Sequence, residues 1–171
     1  MKRETISRTS ILGVNGSPVH GRCRRLLQGA LRSARRCGAQ TELLDLPSAF
    51  NLKHLRGFDG LILATPVHWF NASALMQQFL ADLTFAGCAD SPWVLEGKAA
   101  SFIAVCSEDG GQQAISAMMV PLNFMGIVIP PWAGVFQNES MRGGQDKWQR
   151  LDVPRLGRRL VRFIESLRGV A

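Results

Sequence analysis

The feature that most limits the fold of this chain is a set of short apolar runs with almost no polar break, each closed by turn-forming residues. Ile11 to Val14 runs into Asn15-Gly16-Ser17-Pro18, Gly60 to Thr65 into Pro66, and Ala99 to Cys106 into Ser107-Glu108-Asp109-Gly110-Gly111. Runs of this length and composition read as strands covered on both faces of a sheet. Between them the apolar spacing becomes helical. From Arg22 onward Leu26, Leu27, Ala30, Leu31 and Ala34 share one face, the arginines lie mostly on the other, and Gly38 stops the helix. Ala72 to Leu83, Gln112 to Met125 and Val153 to Leu167 give further helices, the last with Leu156, Leu160, Val161, Ile164 and Leu167 inward. Thr41 to Leu46 reads as a second strand, and Gly126 to Ile129, halted by Pro130-Pro131, as a fifth; Gly134, Gly143 and Gly144 fall in a loop. Alternating strands and helices of this kind predict the α/β class, a parallel sheet sandwiched between helices. Only the residues from Pro47 to Asp59 join strands two and three, close to the lower limit of a crossover, so a truncated helix or bare loop is expected there. The expected organisation is a single domain over 1–171, with 1–9 as a flexible extension.

Composition narrows the function classes. Hydrophobic residues make up 46% and charged residues 19%, which excludes intrinsic disorder. No apolar run approaches the ~18–20 residues of a membrane-spanning helix. The start, Met1 to Arg8, is basic but lacks the apolar segment and cleavage site of a secretory signal, so a cytoplasmic location without a membrane partner is expected. Cys23, Cys37, Cys88 and Cys106 form no CxxC pair, and His20, His54 and His68 lack a second ligand at zinc spacing. No metal and reduced thiols are therefore expected. The net charge is +7, and 16 of the 20 basic residues are arginine. Arginine favours two-pronged contacts with phosphate or carboxylate, which suggests a phosphorylated ligand; solvated helix faces are the plain alternative. No aromatic residue interleaves with the arginines of the first helix or with Arg155, Arg158, Arg159 and Arg162, so nucleic-acid base recognition has little support and no nucleic-acid partner is expected.

Ligands in open α/β sheets bind at the carboxyl ends of strands. The loop Asn15 to Cys23 leads into the first helix: its glycines admit a close anion, the helix N-terminus adds a favourable dipole, Ser17 brings a hydroxyl and Arg22 a charge. A simple strand-to-helix turn is the plain alternative. Gly16 and Gly21 satisfy Gly-x-x-x-x-Gly, but Arg22-Cys23 stand where a P-loop needs Lys-Ser/Thr, and a thiol is a poor magnesium ligand. Gly-x-Gly-x-x-Gly is not matched either. This loop suits phosphate without metal. The second loop, Thr65 to Ser73, places Trp69 and Phe70 directly after a buried strand, where a flat ring or a second subunit would cover them; Asn71 or Ser73 caps the next helix. The third, Ser107 to Gln112, again sets glycines before a helix, with Asp109 as a capping residue in the plain reading. Phosphate at the first loop and a stacked ring at the other two describe a mononucleotide such as FMN.

Gly16-Ser17-Pro18, the stretch Thr65 to Ala74 with Met76 to Asp82, and Gly110-Gly111-Gln112 together resemble the NADPH-dependent FMN reductase family of flavodoxin-like proteins, over about residues 10 to 130 and in the same order. The resemblance implies a flavodoxin-like three-layer sandwich with a five-stranded parallel sheet in the order 2-1-3-4-5 and FMN at the first switch point. It implies an FMN-dependent oxidoreductase that passes hydride from NADPH or NADH, as co-substrate, through FMN to a flavin, quinone or similar small-molecule acceptor. An electron carrier without NADPH oxidation, or a binding module with a weakened flavin site, are the alternatives. A homodimer or homotetramer is implied. Carried over by position, Ser17, Arg22 and Cys23, with Val19 and His20 in the same loop, would hold the phosphate. Pro66, Val67, His68, Trp69, Phe70 and Asn71, with Ser107, Asp109, Gly110 and Gly111, would hold the isoalloxazine. Cys23 stands where the family usually has Ser or Thr, His68 where it often has Tyr, and the first loop is a residue shorter than the common form. Hydride transfer requires no protein base, so no catalytic residue is assigned; a proton-donating role for His68 is secondary to a neutral contact.

Overall fold

The computed structural model describes residues 8–48, 51–90, 94–140 and 145–169. Its elements are β1 (Ser10–Asn15), α1 (Arg22–Arg36), β2 (Gln40–Asp45), α2 (Leu52–Leu55), β3 (Gly60–His68), β4 (Asn71–Ala72), α3 (Ala74–Asp90), β5 (Ala99–Cys106), α4 (Gly111–Phe124), β6 (Gly134–Asn138) and α5 (Gln145–Arg168). Of the expected terminal extension, residues 1–7 lie outside the described residues. Thr9 is buried, and its carbonyl accepts the Gln40 N–H at 2.8 Å. The expected loop glycines Gly143 and Gly144 also lie outside the described residues.

Strands pair in the order β2-β1-β3-β5-β6, all parallel, while β4 folds back antiparallel on the top of β3. This is the flavodoxin-like arrangement, with two corrections to the expectation of five strands. The sheet has six strands, because His68↔Asn71 and Val67↔Ala72 close a small hairpin. The last parallel strand is Gly134–Asn138, not Gly126–Ile129. The latter segment makes one isolated bridge, Ala99↔Val128, before Pro130-Pro131 end its pairing, and Gly134 lies in the strand rather than in a loop. Proline at position 66 does not end β3 either. β1 pairs with β3 only as far as Ala64, so Pro66 sits where no ladder bond from that side is needed, and it remains in register with Val105. The short connection after β2 is the truncated helix expected, four residues long.

Successive strand residues alternate between two apolar layers. Leu12, Val14, Leu61, Leu63, Phe102 and Ala104 face α3 and α4, where Met76, Phe79, Leu83, Ile115, Met118 and Leu122 close the layer. Ile11, Ile62, Ala64, Ile103 and Val105 face α1 and α5, against Leu27, Ala30, Leu31, Ala34, Leu156, Leu160 and Val161. Leu167, expected to point inward, is exposed at the end of α5. Helices α1 and α5 cross so closely that a Cβ added at Gly157 would stand 2.0 Å from the Ala30 carbonyl oxygen. The sheet therefore carries every connecting loop that leads into α1, α3 and α4 to one edge, the carboxyl ends of β1, β3 and β5.

Candidate functional site

The first two loops are tied together by the backbone and one serine. The Gly16 N–H donates to the Ala64 carbonyl at 2.8 Å, and the Ser73 hydroxyl donates to the Gly16 carbonyl at 2.6 Å. A Cβ at Gly16 would lie 2.9 Å from the Met76 Cβ, so only glycine lets the first loop sit this close to α3. Ser73 also accepts the Met76 N–H at 3.2 Å as the cap of α3, and its own N–H donates to the Thr65 hydroxyl at 2.9 Å. Of the two cap candidates Ser73 therefore takes the role, while Asn71 accepts the neighbouring Ala72 N–H at 2.8 Å.

The second and third loops meet at a glycine. Gly110 has φ +87°, and a Cβ there would fall 2.7 Å from the Phe70 Cα and 3.0 Å from Val67 Cγ1. The next residue, Gly111, opens α4; a Cβ on it would fall 2.6 Å from the Phe136 Cβ. Phe70 and Phe136 thus flank the N-terminus of α4. Asp109 accepts the Gly110 N–H at 2.7 Å but does not cap α4 as expected, because the N-cap is Gly110 with no side-chain bond. Ser107 is exposed at the loop's start, its carbonyl accepting the Ser140 N–H at 3.1 Å. The three expected loops adjoin one another along one edge of the sheet.

Trp69 and Phe70 form the two central residues of the β3–β4 hairpin, with φ +49° and +62°. Both angles positive is the primed turn that matches strand twist, and it normally takes Asn-Gly. Here it holds two large aromatic side chains, the first 96% exposed and the second 55%. Backbone conformations of this kind cost about 1–3 kcal/mol each and concentrate at ligand clamps. Pro66 and Val67 are half-buried beneath the turn, and His68 and Asn71 are exposed at its base. Trp69 points to solvent and leaves the space between the loops open to a ligand.

The first loop is more self-contained. Ser17 is buried, its hydroxyl donates to the Val19 carbonyl at 2.9 Å, and its N–H donates to Asn15 Oδ1 at 3.2 Å. Val19 and His20 are exposed, the latter 3.9 Å from an Asp45 oxygen that also receives Arg24 at 3.0 Å. Gly21 caps α1 with no side-chain bond, and the first turn has no acidic residue, so the helix offers uncapped N–H groups. Arg22 projects there but donates to Glu139 at 3.0 Å, both side chains about two-fifths exposed. Cys23 is buried; desolvation pushes its thiol from 9.0 to about 12, so it stands neutral. Cys106, at the end of β5, is also raised by burial.

Two contributors escape sequence reading. Glu139 comes from the turn after β6, which sequence periodicity does not register as a strand, and Phe136 comes from β6 itself. The signal for both was the alternation Gly-Val-Phe-Gln-Asn, whose buried Gln137 and Asn138 disguise a strand end. Among the described residues no three His, Cys, Asp or Glu side chains are placed to hold a metal, and no helix is long and apolar enough to cross a membrane.

The sequence model of the NADPH-dependent FMN reductase family matches residues 51–139, more than half of the chain and spanning the second and third loops. The chain belongs to that family. A search of curated protein sequences finds no match. Among solved structures, RosB with a bound 8-demethyl-8-formylriboflavin-5′-phosphate superposes with a TM-score of 0.78 at 16% identity, covering 94% of this chain and 81% of RosB. A flavodoxin from the domain Archaea gives 0.71 at 10% identity, covering 92% and 99%. The apo form of the NADH:FMN oxidoreductase EMOB gives 0.68 at 21% identity, covering 87% and 88%. At these identities the likeness concerns the fold, which is flavodoxin-like. Membership of the reductase family makes the chain an oxidoreductase of the flavin-binding kind.

Proposed function

We propose that this chain is an FMN-dependent NAD(P)H oxidoreductase whose flavin lies across the three adjoining loops and whose acceptor is a flavin, quinone or similar flat molecule. The observation that carries the reading is the contact chain Gly16–Ser73–Thr65 on one side and Phe70–Gly110–Gly111–Phe136 on the other. Together these make one continuous rim from the N-terminus of α1 to that of α4. The residues fit a singly phosphorylated flat group. The uncapped first turn of α1 and Arg22 suit the phosphate, as the helix dipole and guanidinium both favour an anion. The Gly110–Gly111 backbone between two phenylalanines suits a ring with a polar edge. Bound FMN would supply the two-electron hydride chemistry between nicotinamide and acceptor. The chain's own part is orientation: Trp69 and Phe70 hold the ring plane, Ser73 and Thr65 fix the distance between the loops, and the buried neutral Cys23 adds no charge against the phosphate.

The pairing of Glu139 with Arg22 implies a weaker phosphate site than a free arginine would give. The uncharged helix α4, with Val120 and Phe124 exposed and Phe85 of α3 exposed beside it, supports a homodimer or homotetramer. The test is the visible absorption spectrum of the purified protein reconstituted with FMN, before and after anaerobic NADPH. Bleaching of the flavin bands on NADPH addition supports the reading. Bound flavin that stays oxidised reduces the protein to an electron carrier, and failure to retain flavin refutes the site.

A further inference from the structure

The basic residues of the chain concentrate on the helices of one side of the sheet. Helices α1 and α5 together hold thirteen of the twenty basic residues and three of the thirteen acidic ones, so they carry +10 while the rest of the chain carries −3. The two helices pack against each other, with Gly157 set into the backbone of Ala30, so their arginine rows stand side by side on a rigid base. Arg22, Arg24, Arg155 and Arg168 have carboxylate partners, Arg35 bonds to the Thr41 hydroxyl, and Arg159 lies 5.8 Å over the Trp132 ring. Arg25, Arg32, Arg36, Arg158 and Arg162 are exposed, and among the described residues none of them meets a carboxylate. Arg32 and Arg36 are four residues apart on α1, as are Arg158 and Arg162 on α5, the spacing at which like charges destabilise a helix. An array that repels itself in the free protein is relieved by a polyanion.

We propose that the α1–α5 face docks on the phosphate backbone of duplex DNA without reading its bases. The residue type favours phosphate, which arginine meets with two parallel donors. The absence of aromatic residues among these arginines argues against stacking on bases, and leaves backbone contact untouched. Among the described side chains of the two helices, Leu167 at the far end is the one large apolar group exposed, whereas a helix that docks on lipid carries a broad apolar face. The exposed aromatic beside this face, Trp132, is engaged by Arg159. A duplex, with one charge per ~1.7 Å of axis, matches a row of cations that needs no other contact. The face lies to the side of the three loops, so the inference does not depend on flavin.

The test is fluorescence anisotropy of a labelled duplex of arbitrary sequence with the full chain, titrated at rising salt. Five phosphate contacts predict a log–log salt slope of about −4.5 and roughly 500-fold weaker binding between 50 and 200 mM salt. Replacing Arg25, Arg32, Arg36, Arg158 and Arg162 together by Gln should abolish binding at 100 mM salt, and Arg32→Gln alone should lower the slope by about 1. Lysine at the same five positions should keep the slope, which separates loss of charge from loss of fold. The proposal is overturned if the wild type does not bind duplex at low salt or if the five-fold Gln variant binds as the wild type does. Equal binding to anionic phosphatidylserine vesicles or to polyglutamate at matched charge overturns it as well, since a membrane or an acidic protein would then fit as well as DNA.

Discussion

The two outer faces of this protein rest on one sheet and share almost nothing in character. On one side α1 contains six arginines and no acid, and α5 continues the row. On the other, α4 has no charged residue in fourteen, and Phe124 at its end is 93% exposed. Both faces bury the same kind of apolar stripe against the strands, so stability does not require the difference. The difference instead continues into the loop edge. The charged face ends at the first loop, with Arg22 and the open first turn of α1, where an anion fits. The neutral face ends at Trp69, Phe70, Gly110 and Gly111, where a ring fits. On the proposed reading, a phosphate-bearing flat ligand would span the boundary between the two halves.

The sharpest way to break the charged side is Gly157→Ala. Alanine is the better helix former, but its Cβ would stand 2.0 Å from the Ala30 oxygen, so α1 and α5 must separate. A loss of about 3 kcal/mol is expected, read as a fall in melting temperature of about 10 °C. On the neutral side Phe70→Gly relieves the positive φ of the hairpin and should stabilise the free protein by about 1 kcal/mol while weakening flavin retention. Urea denaturation and FMN titration of the same variant separate the two effects. Glu139→Gln frees Arg22 without touching the neutral half; FMN affinity should rise about fivefold, and riboflavin, which lacks the phosphate, should bind as before.

Cys23 tests the charged side by pH. Its folded thiol titrates near 12 against 9.0 when unfolded, so its burial favours the fold fully below pH 9 and progressively less as the pH rises toward 12. Cys23→Ala should flatten that alkaline decline in a series of denaturation midpoints. The smallest effect on the monomer is expected from Phe124→Ser on the neutral face. Its stability should change by about 0.5 kcal/mol or less, yet sedimentation should show a shift toward monomer.

The strands buried on both faces were legible because their runs have no polar break, and the helices because their apolar stripes are clear. What misled was local chemistry overruled by position. Gly126 to Ile129 is apolar since Ile127 fills the core, yet two prolines deny it a ladder, while the true strand ends in polar Gln137 and Asn138. Pro66 reads as a stop, but it stands above the reach of β1. The three loops could be picked out by their glycines and aromatics. Their joining through Ser73 and Gly110, and the intrusion of Glu139 on Arg22, depend on distances that no spacing along the chain encodes.

The account rests on those loops acting as one pocket, and FMN titration followed by quenching of flavin fluorescence tests it most directly. Saturable quenching at one FMN per chain, weakened in Gly110→Val where a side chain would strike Phe70, is the predicted result. Fluorescence that stays undiminished, or quenching that Gly110→Val leaves unchanged, would contradict it.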